Sequence, residues 1–390
     1  MRMKTRLLVP GPTPTPPEVK LAAMQELIDE RTSEFGVIYS RVVSNLKKLM
    51  CTDNDIFMFA SSITGASESI IQNLFSPGDK ILVASNGFFG ERWIKLCQAF
   101  GLDVIELDFK WGNKIDNEMV KSSISNDPDI KAAICVHCET STSMVNDVKG
   151  FCEAANGVLK IVDGASSLGV CKLKTDEWGI DVLVSGGQKA MMCPPGLSFI
   201  SVSNRAWKYH LDSRMSRFYF DWSLAKENID SSPSPWTPAI SLIMQLDTAI
   251  LRMLEEGLDN ILQRHIVLGR MVRSGVQAIG LTLFASDSDV NSAVTAVILP
   301  DFIPADSFLK SLNLKYGIQV APGVGELKNR IIRIGHCGYF DVFDILNVLS
   351  AIELLLYQYG YHHQFGSAVV AAQKVLVEEE GAIVSDLLLS

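Results

Sequence analysis

Short apolar runs alternate with segments of helical periodicity between about residues 55 and 205. Seven runs are typical of strands: DIFMFA, KILVAS, LDVIELD, IKAAICVH, LKIVDGA, DVLVSG and LSFISVS. Most are separated by amphipathic segments such as GASESIIQNLF, ERWIKLCQAFG and VKGFCEAANG. This alternation predicts an α/β fold of βαβ units, with a mostly parallel sheet that helices cover on both faces.

The pattern changes in the second half of the chain. Residues from about 240 to 280 are helical in periodicity, and AVTAVILP, YGIQVAPG and RIIRIGHCG are typical of strands. A helix is predicted near 305–312 and a long one at 341–358. These elements predict a smaller α+β domain.

Four segments follow from these patterns. Residues 1–20 contain five prolines and predict an extended N-terminal arm. We expect a large domain over 21–255 and a small C-terminal domain over 256–365. For the tail, 366–390, docking and disorder both stay open.

Composition limits the class of protein. The chain has 390 residues, 47% of them hydrophobic, which is enough for a large core. Its net charge of −9 carries no Lys/Arg block, which argues against nucleic acid as a partner. No signal-peptide core is evident at the N-terminus, and the longest apolar helical pattern, 345–361, contains Glu353. We therefore expect a soluble, cytoplasmic chain with no membrane partner.

The eight cysteines lie in apolar contexts typical of reduced intracellular thiols. Cys135 and Cys138 have CxxC spacing, but on a strand residues three apart point to opposite faces. We expect no metal site and no redox role for this pair.

A lysine follows the apolar run DVLVSGG where the surroundings are predicted to be buried. No carboxylate lies within four residues of Lys189. Burial lowers the pKa of a lysine amine, and a partly deprotonated lysine is a nucleophile suited to Schiff-base chemistry. The alternative is an ordinary surface lysine on a loop.

Polar residues also follow other predicted strands, where ligands of an open parallel sheet bind. In ASSITGASESII, Ser62 and Thr64 stand at the start of a helical pattern, which predicts a phosphate-type anion site or an ordinary helix cap. Asp163 ends a strand, and a buried carboxylate needs a donor such as a protonated pyridine nitrogen. An Asp that caps the next turn is the alternative.

The order of these groups adds information. The anion-type loop comes first, HCETSTS and Asp163 follow, and Lys189 comes 26 residues after Asp163. An anion site, a buried carboxylate and a buried lysine at strand ends are the parts of a site for pyridoxal 5′-phosphate.

The chain resembles the class V, fold-type I pyridoxal-phosphate-dependent aminotransferases. It is most similar to the alanine–glyoxylate / serine–pyruvate group, with its cyanobacterial soluble-hydrogenase-subunit-like members. The resemblance covers roughly residues 5–360 and rests on LLVPGPTP, ITGASESI, FSPGDKILVASNGFFGERW, HCETSTS, VDGASSLG, SGGQKAMMCPPGLSFISVS, SPWTPAISL and RIIRIGHCG. It implies a mostly parallel seven-stranded sheet in the large domain and a smaller C-terminal α+β domain.

The resemblance implies roles for residues around the cofactor ring. Lys189 resembles the lysine that forms the internal aldimine and moves the proton between the substrate Cα and the cofactor C4′. Asp163 resembles the partner of the pyridinium N–H. Phe89 falls where the family stacks an aromatic ring, often Trp, and Thr140 matches a hydroxyl near the ring oxygen.

Further positions match phosphate and substrate contacts. The phosphate contacts fall on Ser62, the backbone of Ile63, Thr64 and Gln188. Thr237 matches a phosphate contact from the other subunit, which implies a homodimer with shared active sites.

Two residues match the family's substrate pocket. Gly11 lines that pocket in the family, and Arg333 matches the arginine that binds the substrate carboxylate. A planar guanidinium suits a bidentate carboxylate contact; a structural ion pair is the alternative for Arg333. His336 and Cys337 follow closely, and whether they face the pocket or only pack stays open.

Two departures from the family pattern concern backbone freedom. Ile63 and Ser143 stand where the family usually has glycine. A β-branched residue does not easily adopt the conformations that glycine allows, so we expect the loop at Ile63 to take a different route. These changes leave Lys189 and Asp163 untouched.

The resemblance implies an aminotransferase that moves an amino group from a small amino acid, alanine or serine, to a 2-oxo acid, glyoxylate or pyruvate. Three alternatives stay open: a lyase or cysteine-desulfurase-like enzyme, a specialised-metabolism enzyme, and a non-catalytic pyridoxal-phosphate-binding subunit. Gln188 argues against the desulfurase branch, which usually has His before the lysine. The absence of GxGxxG after a strand argues against a Rossmann dehydrogenase.

Overall fold

A computed structural model describes residues 4–227, 234–285 and 291–389, with only the backbone described over 380–389. Residues 1–3 of the predicted arm and Ser390 of the predicted tail lie outside the described residues. The strands are β1 (Arg6–Leu8), β2 (Asp55–Phe59), β3 (Lys80–Ser85), β4 (Asp103–Asp108), β5 (Ile130–Val136), β6 (Cys138–Glu139), β7 (Met144–Val145), β8 (Leu159–Asp163), β9 (Val182–Gly186), β10 (Ser198–Val202), β11 (Thr282–Leu283), β12 (Val294–Ile298), β13 (Ile318–Pro322) and β14 (Ile331–Gly335).

Helices separate most of these strands. They are α1 (Pro17–Ala22), α2 (Ser33–Met50), α3 (Ile63–Leu74), α4 (Phe88–Ala99), α5 (Asn117–Asn126), α6 (Val148–Ala154), α7 (Asn204–Asp212), α8 (Trp222–Glu227), α9 (Ile240–Glu256), α10 (Leu258–Ala278), α11 (Ala305–Tyr316), α12 (Val342–Gln358) and α13 (Ser367–Leu389).

The main sheet has seven strands in the order β2-β10-β9-β8-β5-β3-β4. β10 is antiparallel to β2 and β9, and the other pairs in the sheet are parallel. Alternate residues face two different cores; Ile134 of β5 packs with α3 and α4, whereas Cys135 packs with α2 and α9. Burial on both faces explains the continuous apolar runs, and the predicted mostly parallel sheet is confirmed.

A second sheet has five strands in the order β1-β13-β14-β12-β11. Its apolar side packs against α10, α11 and α12 in a separate core. The N-terminal strand β1 pairs in parallel with β13, so a piece of the predicted arm belongs to this C-terminal sheet. The chain between β1 and α1 therefore passes from one sheet to the other.

The C-terminal helix α13 docks on α10. Ala368, Ala372 and Val375 are buried in the core that α10 and α12 share. The buried carboxylate of Glu353 accepts hydrogen bonds from the amides of Gly366 and Ala368, at 3.2 and 2.8 Å. A carboxylate at a helix N-terminus satisfies free amides and suits the helix dipole. This contact explains why α12 carries an acidic residue in an apolar stretch.

The helices in the described ranges lack the length and apolarity needed to cross a membrane.

His336 is a buried titratable group between α10 and β12. Its Nε2 lies 3.0 Å from Thr295 Oγ1, and a Cβ built on Gly269 would lie 3.1 Å from its Cε1. Burial, with the charge of Arg273 adding to it, lowers the pKa of His336 to about 3. The folded protein therefore favours the neutral imidazole.

We predict that His336→Gln weakens the pH dependence of stability. Because the folded pKa lies below the unfolded value of about 6.5, the stabilisation is complete above that value and is lost as the pH falls towards 3. The free energy of unfolding, measured with denaturant at several pH values between about 6 and 4.5, should change less steeply with pH in the variant. We expect its slope against pH to be smaller than that of the wild type by about 1.4 kcal/mol per pH unit. The exposed His362→Gln is the control, and parallel curves for His336→Gln and the wild type would refute the assignment.

Candidate active site

A cavity of about 270 Å³ lies at the carboxyl ends of the parallel strands. It brings together eight of the predicted site residues: Gly11, Ser62, Ile63, Thr64, Phe89, Asp163, Gln188 and Lys189. They come from the N-terminal arm and from four separate connections of the large sheet. Thr140 and Arg333 do not line the cavity, but they contact each other and Arg333 is close enough for its charge to act on Lys189. Thr237 lines a different hollow.

Lys189 follows β9 and points towards the N-terminal arm. Its Nζ donates a hydrogen bond of 3.0 Å to Pro10 O and, within the described ranges, forms no salt bridge. Burial lowers the pKa of the amine. Lys189 is thus partly buried and has no carboxylate at salt-bridge distance among the described residues, which suits a nucleophilic amine.

Asp163 ends β8, also within the cavity. Trp93 Nε1 donates to its Oδ2 and Ala165 N to its Oδ1, both at 2.9 Å. Burial nevertheless raises the pKa of this carboxyl group. A cationic donor beside Asp163 would offset that burial cost.

The N-terminus of α3 forms another wall of the cavity. Ser62 precedes the helix, but its side chain forms no cap hydrogen bond, and the first amides of a helix have no acceptor inside the helix. Gln188 Oε1 is buried nearby and has no hydrogen-bond partner among the described residues. These groups suit an anionic ligand with several polar atoms.

Ile63 occupies the first position of α3 with an ordinary helical backbone, so the loop does not need glycine here. Its side chain fills the space over Gly186, where a Cβ would lie 2.6 Å from Ile63 Cγ1. The glycine that makes room for Ile63 is therefore Gly186, at the end of β9. Ser143, by contrast, does have a positive φ of 68°.

The sequence reasoning did not single out three residues near the cavity. Trp93 contacts Asp163, and Arg92 Nη1 donates to Thr64 Oγ1 at 3.1 Å while its guanidinium lies 4.7 Å from the centre of the Phe89 ring. The signal was their spacing, because residues three and four positions after Phe89 share its helix face.

Glu139 is the third of these residues and is fully buried. Its Oε2 accepts from the amides of Phe89 and Gly90 at the start of α4, and its Oε1 accepts from Ser141 N and Oγ. Burial raises the pKa of Glu139 even with these donors. The carboxylate holds the helix that carries Phe89.

Arg333 is held on β14 by two backbone carbonyls. Its Nε donates to Pro322 O at 2.7 Å and its Nη1 to Thr140 O at 2.9 Å. Burial lowers the pKa of the guanidinium to about 10, and the charge of Glu139 opposes the shift. Within the described residues Arg333 has no carboxylate at salt-bridge distance, so its fork is available to an external anion.

The remaining candidates do not line the cavity, although Cys337 lies close enough to Lys189 for the two groups to interact electrostatically. His336 packs against α10, and Cys337 belongs to a buried cluster with Cys138 and Cys171. Thr237 is exposed beside a hollow of about 30 Å³ that Tyr219 and Trp236 also line.

Comparison with known proteins identifies the family of this chain. Residues 7–326 match the aminotransferase class-V family. The chain is 38% identical over 379 residues to the soluble hydrogenase 42 kDa subunit of Anabaena cylindrica, covering 95% of this chain and 98% of that protein. It is 34% identical over 388 residues to serine–glyoxylate aminotransferase of Methylorubrum extorquens, covering 96% of each.

A solved structure agrees. Ureidoglycine–glyoxylate aminotransferase from Bacillus subtilis superposes with a TM-score of 0.92 at 28% identity, covering 96% of this chain and 99% of that one. The chain belongs to the class-V aminotransferase family, with the fold of the fold-type I pyridoxal-phosphate enzymes. Its cofactor class is therefore pyridoxal 5′-phosphate, and the predicted family, fold and enzyme class are confirmed.

We predict that Gly11→Ala displaces Lys189. Gly11 has a φ of 153°, and a Cβ built there would lie 2.6 Å from Lys189 Nζ. Because L side chains rarely adopt this φ and the amine must move, we expect kcat/KM to fall on the order of 10²-fold.

The matched control is Gly36→Ala in α2, where an added Cβ meets nothing within 4 Å. It should retain wild-type kinetics. Unchanged kcat/KM in Gly11→Ala would show that the close approach of the arm to Lys189 is not needed.

Proposed function

We propose that this protein transfers the amino group of a small amino acid, alanine or serine, to glyoxylate or pyruvate. The observation that carries the proposal is Lys189, partly buried and without a salt bridge among the described residues, in one cavity with Asp163 and within reach of the charge of Arg333. The choice of substrates is supported by relatives such as serine–glyoxylate aminotransferase of Methylorubrum extorquens.

The residues of the cavity fit pyridoxal 5′-phosphate. The uncapped start of α3 and the unpartnered Gln188 Oε1 suit its phosphate, and Asp163 suits a protonated ring nitrogen. Phe89 lines the cavity and supplies an aromatic face for the ring. Thr140 accepts a hydrogen bond from Arg333 through its carbonyl oxygen. Bound there, the cofactor supplies a conjugated ring that withdraws electrons from the substrate Cα.

The protein's own groups then have distinct tasks. Lys189 Nζ, with its lowered pKa, takes the proton from the substrate Cα and returns it. Asp163 keeps a proton on the ring nitrogen. Arg333 orients the substrate by its carboxylate, using the guanidinium edge that the carbonyls of Pro322 and Thr140 leave free.

We further propose a cytoplasmic homodimer with shared active sites. Thr237 is exposed on the chain outside its own cavity, which suits a contact to the phosphate in a partner's site. The eight free cysteines support a reducing compartment.

The amino donor is tested by the visible spectrum of the purified holoenzyme, with alanine, serine, glutamate and cysteine added separately. We expect alanine or serine to bleach the cofactor band, and glyoxylate or pyruvate to restore it. A band that none of these amino acids changes would contradict the proposed reaction and favour a non-catalytic subunit. Release of alanine from cysteine would instead favour a desulfurase.

The shared site is tested with mixed dimers. Lys189→Ala and Thr237→Asp, refolded together, should recover about a quarter of the wild-type activity, because half of the dimers are hybrids and each hybrid has one intact site. Lys189→Ala mixed with Asp163→Asn is the control, since both residues serve the same subunit's site and no hybrid has an intact one. Equal recovery in the two mixtures would rule out the role of Thr237 across subunits.

A further inference from the structure

Ser143 holds a backbone conformation that favours glycine. Its φ is 68°, in the left-handed region, and the residue is 4% exposed. A residue with a Cβ is disfavoured in this region. A serine here therefore needs a compensating interaction.

That interaction is a hydrogen bond to the small sheet. Ser143 Oγ accepts from Ala296 N on β12 at 2.6 Å. Phe284 N, just beyond β11, donates to Ala296 O at 3.0 Å, and in a regular antiparallel pair Phe284 O would accept the Ala296 N–H in return. The serine hydroxyl takes the place of this strand partner.

The same bond lies next to Arg333. Ala296 is directly opposite Arg333 in the pairing of β12 with β14, and Arg333 Nη1 donates to Thr140 O, three residues before Ser143. The turn and the small sheet are therefore joined at two points: by the hydrogen bond between Ser143 and Ala296, and by the hydrogen bond between Arg333 and Thr140. The pairing of β12 with β14 connects Ala296 to Arg333. Together these contacts fix the distance between the large-domain turn and the guanidinium.

We propose that Ser143 is a positioning residue that holds Arg333 in the geometry for binding a substrate carboxylate, an inference that rests on the proposed function. The hydroxyl sets where β12 lies against the turn at residues 139–143, and β14 carries Arg333 with it. Arg333 is then preorganised before the substrate arrives.

Other contacts hold the two sheets together without Ser143. Asn291 Nδ2 donates to Val170 O at 2.9 Å, and Cys171 Sγ donates to Asn291 O at 3.0 Å. Loss of the Ser143 hydroxyl is therefore expected to shift β12 locally and to leave the protein folded.

The test compares Ser143→Gly with Ser143→Ala in the holoenzyme. Both variants lose the acceptor, but glycine relieves the strain of the positive φ and alanine keeps it. We expect both to raise the KM for amino acid and 2-oxo acid by about tenfold with a smaller change in kcat, and to speed amide hydrogen exchange in the peptide that contains Ala296. The melting temperature of Ser143→Gly should be higher than that of Ser143→Ala.

Thr175→Val is the matched control, because it removes a buried hydroxyl that donates to Met50 O, away from Arg333. It should lower the melting temperature and leave KM unchanged. A wild-type KM in both Ser143 variants would overturn the positioning role. So would a KM that follows the melting temperature across the Ser143 variants and Thr175→Val, because the rise would then reflect lost stability.

The two proposals fail in different ways. If the wild-type protein gave no transamination, the proposed function would fail. Calorimetry with pyruvate and amide exchange at Ala296 would still test Ser143, because the variants should bind pyruvate more weakly only if the hydroxyl positions Arg333. Equal pyruvate affinity in wild type and variants would overturn the inference even in an active aminotransferase.

Discussion

The desolvation of the Lys189 amine, with no carboxylate at salt-bridge distance among the described residues, is the constraint on which the site depends. A desolvated lysine amine favours its neutral form, and Nζ donates a hydrogen bond to the carbonyl of Pro10. The N-terminal arm must therefore reach the cavity, which it does because β1 is tied into the C-terminal sheet. The arm is thus attached to the small sheet through β1 and contacts Lys189, which follows β9 of the main sheet, through Pro10 O.

The turn at residues 139–143 joins the parts of the site to one another. The Glu139 side chain accepts hydrogen bonds from two amides in the first turn of α4. This helix carries Phe89 and also Trp93, which donates to Asp163. The turn at residues 139–143 also offers Thr140 O to Arg333. Residues of the large sheet, a flanking helix and the small sheet are therefore positioned from a single short turn, so an error in this turn would affect every one of them.

The sequence predicted the elements better than their contacts. All seven strands of the main sheet were evident. Burial on both faces leaves nearly uninterrupted apolar runs in inner strands such as β5 and β9, whereas the edge strand β4 has no buried residue. Helix α2 was not singled out, although Phe35, Tyr39, Val42 and Leu46 form a stripe of helical spacing. The pairing of β1 with β13 was not predictable, because a three-residue strand has no signal of its own. Likewise, the hydrogen bonds from Lys189 to Pro10 O and from Arg333 to Thr140 O join residues 179 and 193 positions apart, a separation that no local pattern can reveal.

We infer that Lys189 is the residue that binds pyridoxal phosphate covalently. The direct measurement is borohydride reduction of the purified protein with pyridoxal phosphate, followed by mass spectrometry of its peptides. We expect one modified lysine, in the peptide that contains Lys189, and loss of the label in Lys189→Ala. A label spread over surface lysines, or one that persists in that variant, would contradict it.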